Sequence, residues 1–255
     1  MKNVAVIGAG ISGLRAALEL VGKHQITLFE KSPSVGGRLA TRRFGDIPVN
    51  HGADYFHGME HLKGDPFAEK FRDYLPLSGA ATDLPKAMRD VLQKNSQVAF
   101  HFNSKVIEVS TGNKLQLENG DALLFDQIII TAPVPQARQI LRENILSEVT
   151  YTKQISFIGT CKNEQVKILL SEEDSERLFD ENDDVIRRHA DFLIGENADL
   201  NLKKWRYSRV KNGVKDFLYP YTPEILICGD AFDPEEQFNL GSAWKSGLMA
   251  ARSVL

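Results

Sequence analysis

Three glycines and one acidic residue near the start of the chain have the types and spacing needed to bind a dinucleotide. Gly8, Gly10 and Gly13 form a GxGxxG motif, and Glu30 follows twenty residues after Gly10. Gly8 permits a sharp turn, Gly10 lets a pyrophosphate approach the backbone, and Gly13 allows a helix to pack closely on a strand. The carboxylate of Glu30 is placed to accept hydrogen bonds from an adenosine ribose.

The segments around these glycines have the hydrophobic patterns of a strand, a helix and a second strand. Residues 3–7 form a short apolar run that is typical of a buried strand. Leu14 and Leu18 then recur at helical spacing, and Gly22 suits the end of that helix. Residues 26–29 form another apolar strand. In such a unit the positive N-terminus of the helix would face the phosphates of the dinucleotide.

A second glycine-rich stretch favours a flavin dinucleotide. Gly36 and Gly37 let the backbone pass close to a ligand, and Arg38 can pair with a phosphate. A nicotinamide-only dehydrogenase has no special need for these glycines and their arginine. The alternative interpretation is an exposed turn with solvated basic residues. The GxGxxG motif earlier in the chain favours the flavin site over this alternative. Gly52 and Ala53, ahead of aromatic residues, indicate backbone held close to something flat.

The last part of the chain predicts a second place for polyol and anion contacts. Residues 225–228 form a buried strand that ends in Gly229 and Asp230. Asn239 is placed to cap a final helix, with Ala243 in its first turn. Asp230 can hydrogen-bond ribityl hydroxyls, and the helix N-terminus can face a flavin pyrimidine ring or a pyrophosphate.

The middle of the chain predicts further strands and helices. Residues 127–130 are β-branched and apolar, as expected of a central strand. Asn119-Gly120 predicts a two-residue hairpin turn in which both positions need positive φ. Asp65, Asp83 and Asn182 are each placed to begin a helix.

Composition limits the classes of partner. The chain has 255 residues, 25% of them charged and 42% hydrophobic, with a net charge of -3. This balance offers no general attraction to nucleic acid or to an anionic membrane, so we expect a small-molecule partner. The two cysteines favour buried thiols, with a disulfide as the alternative. The histidines lack a metal-ligand spacing, no run of eighteen apolar residues occurs, and the N-terminal segment lacks a signal-peptide cleavage site. A cytoplasmic location is therefore expected.

Six stretches, spread over both ends and the middle of the chain, share their residues with one family. They are the opening GAGxxG, 36–38 with Thr41, 52–55, 131–135, 204–208 and 229–230. Together they resemble the flavin-dependent amine oxidase superfamily, and most closely its renalase-like members. The resemblance implies a non-covalent FAD cofactor. It also implies oxidation of wrongly isomerised NAD(P)H, with oxygen accepting the electrons.

The resemblance, together with the motifs, indicates which residues contact FAD. The expected contacts are Gly8, Gly10, Ser12, Gly13, Glu30, Lys31, Gly37, Arg38, Asp54, Tyr55, Val106, Asp230 and Ala243. Among them, the backbone of Val106 would hold the adenine and Asp230 the ribityl chain. One departure from the family pattern is Asn50, which stands where relatives usually have an acid.

These observations predict an α/β fold with a Rossmann-like FAD-binding domain of the glutathione reductase type and a small α+β cap domain. The FAD-binding domain is expected to comprise 1–56, 82–137 and 204–255, and the cap 57–81 and 138–203. The cap is shorter than in typical relatives. Only two cap strands, residues 154–161 and 166–170, and one or two helices can be assigned.

The expected chemistry is hydride transfer from a substrate carbon to flavin N5, followed by reoxidation, with the protein orienting the substrate. A short cap predicts an open flavin face, which favours a reduced nicotinamide dinucleotide over a small amine. Tyr55 and Trp205 are the candidates to flank the flavin ring, and no catalytic side chain is assigned. The alternatives are amine oxidation, a flavin-binding protein without turnover, and a plain NAD(P)-binding module.

Overall fold

The computed structural model describes residues 1–53, 58–59, 62–71, 79–162, 164–194 and 200–255, apart from the side chains of Phe192 and Ile194. The strands are β1 (Asn3–Ile7), β2 (Gln25–Phe29), β3 (Thr41–Phe44), β4 (Ile47–Asn50), β5 (Val98–His101), β6 (Val106–Ser110), β7 (Lys114–Leu117), β8 (Ala122–Leu124), β9 (Gln127–Ile130), β10 (Thr150–Cys161), β11 (Glu164–Leu169), β12 (Leu200–Asn212), β13 (Tyr219–Pro220) and β14 (Ile225–Ile227). The helices are α1 (Ile11–Leu20), α2 (Pro66–Lys70), α3 (Asp83–Leu92), α4 (Val134–Leu141), α5 (Glu172–Leu178), α6 (Asp183–Ile194) and α7 (Leu240–Val254).

The central sheet has six strands in the order β13-β14-β9-β1-β2-β5. Its pairs are parallel except for β13 and β14, which are antiparallel. The apolar strands predicted at both ends of the chain and at 127–130 are therefore confirmed. Because the carboxyl ends of parallel strands meet at one edge of a sheet, the segments that follow β1, β2, β9 and β14 come together there.

Helices α1 and α7 approach the sheet and each other very closely. A Cβ atom added at Gly13 would lie 2.1 Å from the Gly8 carbonyl oxygen, and one at Gly247 would lie 2.2 Å from the Ser12 carbonyl oxygen. Such distances leave no room for any side chain. The fully buried indole of Trp244 belongs to the same hydrophobic core as the apolar side chains of α1. The close packing fixes the position of the α1 N-terminus above the sheet edge.

The hairpin between β7 and β8 has a different turn from the predicted one. Only Gly120 has positive φ, at 95°, and the Leu117 N–H donates to the Asp121 carbonyl across a loop of three residues. The Asn119 side chain accepts a hydrogen bond from the Asp121 N–H at 3.0 Å. The prediction of a two-residue turn was therefore wrong. The hydrogen bond of the Asn119 side chain stabilises a three-residue turn in which glycine alone takes the left-handed conformation.

A second, antiparallel sheet has the order β11-β10-β12 and is here called the cap sheet. One of its faces packs on α5 and α6 through apolar residues that include Ile155, Phe157 and Leu200. The prediction of only two cap strands was wrong, because β12 pairs with β10 between Leu200 and Asn212. Charged residues along β12 conceal the apolar alternation that marks a strand. The expected boundary at residue 204 lies inside this strand.

Two of the three predicted helix starts are confirmed. Asp65 Oδ1 accepts hydrogen bonds from the N–H groups of Phe67 and of the next residue, at 2.8 and 3.0 Å. Asn182 Oδ1 accepts one from the N–H of Val185 at 3.0 Å. Asp83 does not cap α3, because it is already the first residue of that helix and the residue before it occupies the N-cap position. The predicted end of α6 at Gly195 lies outside the described residues.

Two further observations apply to the part of the chain that the structure describes. Its histidine, cysteine and acidic side chains form no group that could hold a metal ion. None of its helices combines the length and the hydrophobicity needed to cross a membrane.

Candidate functional site

The N-terminus of α1 offers both space and hydrogen-bond donors to an anion. Gly10 is the N-cap residue and has no side chain, so the first N–H groups of the helix lack a side-chain cap. A Cβ atom built at Gly10 would meet nothing within 4 Å. Gly8 turns the chain with a φ of 107°, which strongly favours glycine. These features fit the predicted position of a pyrophosphate.

The Glu30 carboxylate lies beside this glycine loop and is oriented by backbone groups. Its Oε2 accepts from the Ala9 N–H at 2.9 Å, and its Oε1 accepts from the Ser32 N–H at 2.8 Å. Each carboxylate oxygen retains acceptor capacity, which fits the predicted role toward ribose hydroxyls. The Ser104 N–H donates to the Glu30 carbonyl at 2.9 Å, so the first residue of β6, Val106, lies at the same end of the site.

The Gly36–Gly37 turn places Arg38 next to the same loop. The Gly36 N–H donates to the Ala9 carbonyl at 2.9 Å, and Gly36 has a φ of 130°. A Cβ atom at Gly37 would lie 3.4 Å from Gly10 Cα, and Gly37 has a φ of 56°. The two glycine-rich stretches therefore form one continuous surface, as the sequence predicted.

The guanidinium of Arg38 joins segments from distant parts of the chain. Its Nη2 lies 2.5 Å from Asp230 Oδ1, and its Nη1 donates to the carbonyls of Tyr207 and Ser208, both at 3.4 Å. Its carbon Cζ lies 5.8 Å from the ring centre of Tyr151. Burial alone would lower the pKa of Arg38, but the charge and hydrogen bond of Asp230 raise it, so the guanidinium stays charged.

Tyr151 is a member of this site that the sequence did not predict. Its ring contacts that of Tyr207 edge-on at 5.6 Å, and its hydroxyl accepts a hydrogen bond from the Val134 N–H at 3.4 Å. Burial, followed by the nearby charge of Asp230, raises the pKa of Tyr151, so the hydroxyl stays protonated. No motif marks this residue, because its direction depends on a register shift between β10 and β12 beside Tyr151.

The segment after β14 brings Asp230 to the site beside α7. The Gly229 N–H donates to Ser246 Oγ of α7 at 2.8 Å, which ties the strand end to the helix. Asn239 caps α7 as predicted, in a reciprocal arrangement with the third residue of the helix. Ala243 lies in the first turn, where its N–H donates to the Asn239 carbonyl.

Ser12 and Cys228 contact each other behind the glycine loop. Ser12 Oγ lies 3.3 Å from Cys228 Sγ, so the Ser12 side chain faces the interior. A contact of Ser12 with a ligand at the helix N-terminus would therefore use its backbone N–H. Both cysteines are free, and burial raises the pKa of Cys228 to about 12, so it remains a thiol.

The cap sheet turns its other face, called the inner face, toward β3 and β4. The inner face carries Ser156, Lys203, Trp205 and Tyr207, which alternate with the residues packed on α5 and α6. Trp205 Nε1 donates to the His51 carbonyl at 2.6 Å, and the two rings stack with centres 5.6 Å apart. These contacts fix the indole between the cap sheet and the residue that follows β4.

Two predicted cofactor contacts, Asp54 and Tyr55, lie outside the described residues. Their roles, including that of Tyr55 beside the flavin ring, stay predictions. Lys31 is exposed next to Glu30. The described candidates fit one extended ligand: Glu30 with Val106 at one end, the α1 N-terminus in the middle and Arg38 with Asp230 beyond it.

The family profiles that match the chain cover adjoining segments. Residues 6–71 match the NAD(P)-binding Rossmann-like domain, and residues 69–162 match the flavin-containing amine oxidoreductase family. The first segment contains the GxGxxG loop, Glu30 and Arg38. The second contains Val106 and Tyr151.

Known proteins match parts of the sequence or the fold. The chain is 55% identical over 77 residues to a 4,4'-diapophytoene desaturase of Staphylococcus haemolyticus, and 28% identical over 124 residues to polyamine oxidase 7 of Oryza sativa subsp. japonica. The matched parts cover 29% and 48% of this chain but only 15% and 26% of those relatives. An oxidoreductase from Methanosarcina mazei has a similar structure, with a TM-score of 0.59, 9% identity, and coverage of 98% of this chain and 99% of that one.

The fold is thus that of the Rossmann-like dinucleotide-binding proteins, with a mixed sheet made mostly of parallel strands. The profiles and relatives further support the flavin-containing amine oxidase superfamily and FAD as the cofactor. The cradle at Gly10 and the charged pair of Arg38 and Asp230 fit that cofactor. No residue in the described part of the site conflicts with it.

Proposed function

We propose that this protein is an FAD-dependent oxidoreductase of the renalase-like type. Bound FAD would supply two-electron chemistry by taking a hydride from a substrate carbon at N5 and giving two electrons to oxygen, which takes up two protons to form hydrogen peroxide. The protein would bind the cofactor, orient the substrate and limit access of water. The chain spans a small part of its curated relatives, so this activity rests on the site itself.

One observation carries the proposal: the inner face of the cap sheet meets the cofactor-binding corner at Arg38. The carbonyls of Tyr207 and Ser208 accept from the same guanidinium that pairs with Asp230. A flavin whose pyrophosphate lies at α1 would extend past Arg38 toward this face. Trp205, held by its bond to the His51 carbonyl, is then the described candidate to flank the ring.

Two described side chains near this corner, Tyr151 and Cys228, are not activated as general bases. The raised pKa values of Tyr151 and Cys228 keep the hydroxyl and the thiol protonated at neutral pH. Hydride transfer needs no side-chain nucleophile, so the protonated state of these two groups is consistent with the proposed chemistry. The buried thiol also supports a non-covalent cofactor.

A reduced nicotinamide dinucleotide is the substrate we favour. The third cap strand gives the site more cover than the sequence predicted, so an open flavin face is no longer an argument against an amine substrate. The argument is now Lys203 on the inner face, because its positive charge would repel a protonated amine. Amine oxidation remains the second candidate, since residues 69–162 match the flavin-containing amine oxidoreductase profile.

The test is anaerobic mixing of the oxidised flavoprotein with candidate reductants. We expect NAD(P)H preparations that contain abnormal isomers to bleach the flavin, and a panel of primary amines to leave it oxidised. Bleaching by amines alone would reverse the substrate preference. A competent flavin that none of these compounds reduces would favour the alternative of a flavin-binding protein without turnover.

The proposed cellular setting follows from composition and cysteine chemistry. The two free thiols fit a reducing compartment, and the net charge of -3 fits a small-molecule partner better than nucleic acid or an anionic membrane. A cytoplasmic location stays a prediction, which fractionation of cells that produce the protein would test.

A further inference from the structure

The inner face of the cap sheet carries two polar groups side by side, one charged and one neutral. Ser156 on β10 is directly opposite Lys203 on β12 in the antiparallel register. Residues opposite each other in such a pair point to the same face of the sheet. Their neighbours Ile155 and Phe157 point the other way, into the apolar core with α5 and α6.

Lys203 shares this region with a second cation, Arg42 on β3. Burial lowers the pKa of Lys203, and the positive charge of Arg42 lowers it further. In the described ranges, neither side chain forms an ion pair with a carboxylate. Two other cations of β12 do form ion pairs: Lys204 lies 3.8 Å from Asp183, and Arg206 lies 2.9 Å from Asp180. Lys203, which is half-buried, and Arg42, which is exposed, therefore form a favourable place for an anion, since no carboxylate of the described residues pairs with them.

The Ser156 hydroxyl provides an independent observation. Ser156 is fully buried, and its Oγ has no hydrogen-bond partner among the residues that the structure describes. Buried hydroxyls in folded proteins are nearly always paired with protein or ordered water, so an unpaired one indicates a position for a water or a ligand group. Its position opposite Lys203 puts this donor beside the unpaired cations.

The distance to Trp205 relates this pair to the proposed reaction. Lys203 and Trp205 are two residues apart on a regular strand and on the same face, so their Cα atoms are separated by about 7 Å. A group bound at Lys203 would therefore lie a few bonds away from a substrate carbon that Trp205 and the flavin hold between them.

We propose that Lys203, assisted by Arg42 and the Ser156 hydroxyl, binds an anionic group of the substrate, either a phosphate or a carboxylate. The inference rests on the proposed function and specifies it: the substrate is an anion, and Lys203 determines that preference. It involves no bond making, because Lys203 only binds and positions the substrate.

A binding measurement tests this independently of turnover. Inorganic pyrophosphate and succinate are titrated calorimetrically into the FAD-loaded protein, into Lys203→Gln and into Lys204→Gln. Lys204→Gln is the matched control, since it removes the same charge from the adjacent, exposed position on the opposite face. We expect Lys203→Gln to weaken the preferred anion about ten- to hundredfold and Lys204→Gln to leave it within about twofold. Equal affinities in the two variants would overturn the proposal.

The two probes distinguish the sources of the anion. A preference for pyrophosphate indicates the phosphates of a dinucleotide, and a preference for succinate indicates the carboxylate of an amino or hydroxy acid. A loss of affinity that is the same in Lys203→Gln and Arg42→Gln would show that both cations contact the anion.

A kinetic measurement separates this inference from the proposed function. Reduced nicotinamide mononucleotide carries a phosphate, and reduced nicotinamide riboside is its neutral counterpart. If either bleaches the flavin, we expect Lys203→Gln to raise the half-saturating concentration of the mononucleotide and to leave that of the riboside unchanged. Bleaching by neither would count against the proposed substrate, while the calorimetric comparison would still decide the role of Lys203.

Discussion

At the scale of single residues, a substitution at Gly10 should weaken cofactor binding without destabilising the fold. Nothing lies within 4 Å of a Cβ atom at Gly10, whereas one at Gly13 would lie 2.1 Å from a backbone oxygen. We expect Gly10→Ala to leave the melting temperature of the FAD-free protein within about 2 °C and to weaken FAD binding at least about tenfold. The methyl group would occupy the space of the pyrophosphate. Circular dichroism and flavin fluorescence measure the two effects.

Gly13→Ala is the contrasting variant, because its methyl group meets backbone. We expect it to lower the melting temperature whether or not FAD is present. A Gly10→Ala protein that binds FAD normally would show that the pyrophosphate lies elsewhere.

Glu30 and Arg38 hold different parts of the proposed cofactor. Replacing either with alanine removes a charge-assisted hydrogen bond, which is worth about 1.5–3 kcal/mol, or one to two decades in affinity. Reconstitution of FAD-free protein, followed by fluorescence, gives the dissociation constants. Arg43→Ala is the control, since Arg43 is exposed and its one hydrogen bond among the described residues goes to the nearby Asp46 carbonyl. Unchanged affinity in both variants would place the site elsewhere.

Residues held by local chemistry were the ones that sequence reasoning identified. Glycines with positive φ and the caps at Asp65 and Asn239 depend on neighbours a few positions away. Tyr151 was missed because its contacts with Arg38 and Tyr207 join residues far apart in the chain. Its direction also depends on a register shift, which no local pattern encodes.

At the scale of elements, Asp65 connects α2 to the helices behind the site. One carboxylate oxygen caps α2, and the other accepts from Trp244 Nε1 at 3.0 Å and from Arg15 at 3.4 Å. Asp65→Ala removes the cap and half of the support of a buried arginine, so we expect a loss of about 2–3 kcal/mol of unfolding free energy. Asp83→Ala, which removes no cap, should cost less than about 0.5 kcal/mol. Urea unfolding measures both.

The Asp65 carboxylate also makes the stability of the protein depend on pH, and the direction of its pKa shift gives the sign. Burial alone would raise the pKa of Asp65, but hydrogen bonds from Trp244 and Ala68 and the charge of Arg15 lower it. Its contribution to stability is therefore present above the ordinary pKa of about 4 and is lost as the pH falls through the lowered value. The stability difference between the natural protein and Asp65→Asn should shrink on acidification. A constant difference would contradict this assignment.

Strands with a uniform apolar pattern could be predicted from the sequence. β12 lacks such a pattern, and its place in the cap sheet was not predicted. The central strands are buried on both faces, so nearly every residue is apolar. β12 has one face on the cap core and the other toward Arg38, and exposed cations occur along it. Its pairing with β10 depends on tertiary structure, which explains why the cap was predicted one strand too small.

At the scale of the whole molecule, the site predicts a coloured protein with a removable cofactor. We expect the purified protein to show a flavin absorbance spectrum and acid to release FAD into the supernatant, because Cys228 is a buried thiol without thiolate character. Chromatography against FAD and FMN standards identifies the released flavin. Colourless protein that takes up NAD but not FAD would contradict the assignment, as would flavin that stays with the acid precipitate.

Arg38 also has a consequence for the time at which the site can form during synthesis. Its partners lie near residues 151, 207 and 230, and β14, which ends just before Asp230, joins the sheet between β13 and β9. A ribosome-bound chain that ends before residue 230 would contain the glycine loop and Glu30 but neither Asp230 nor the capped start of α7. Stable capture of the cofactor therefore has to wait until the chain has been made past residue 230 and the start of α7, although the glycine loop is made first.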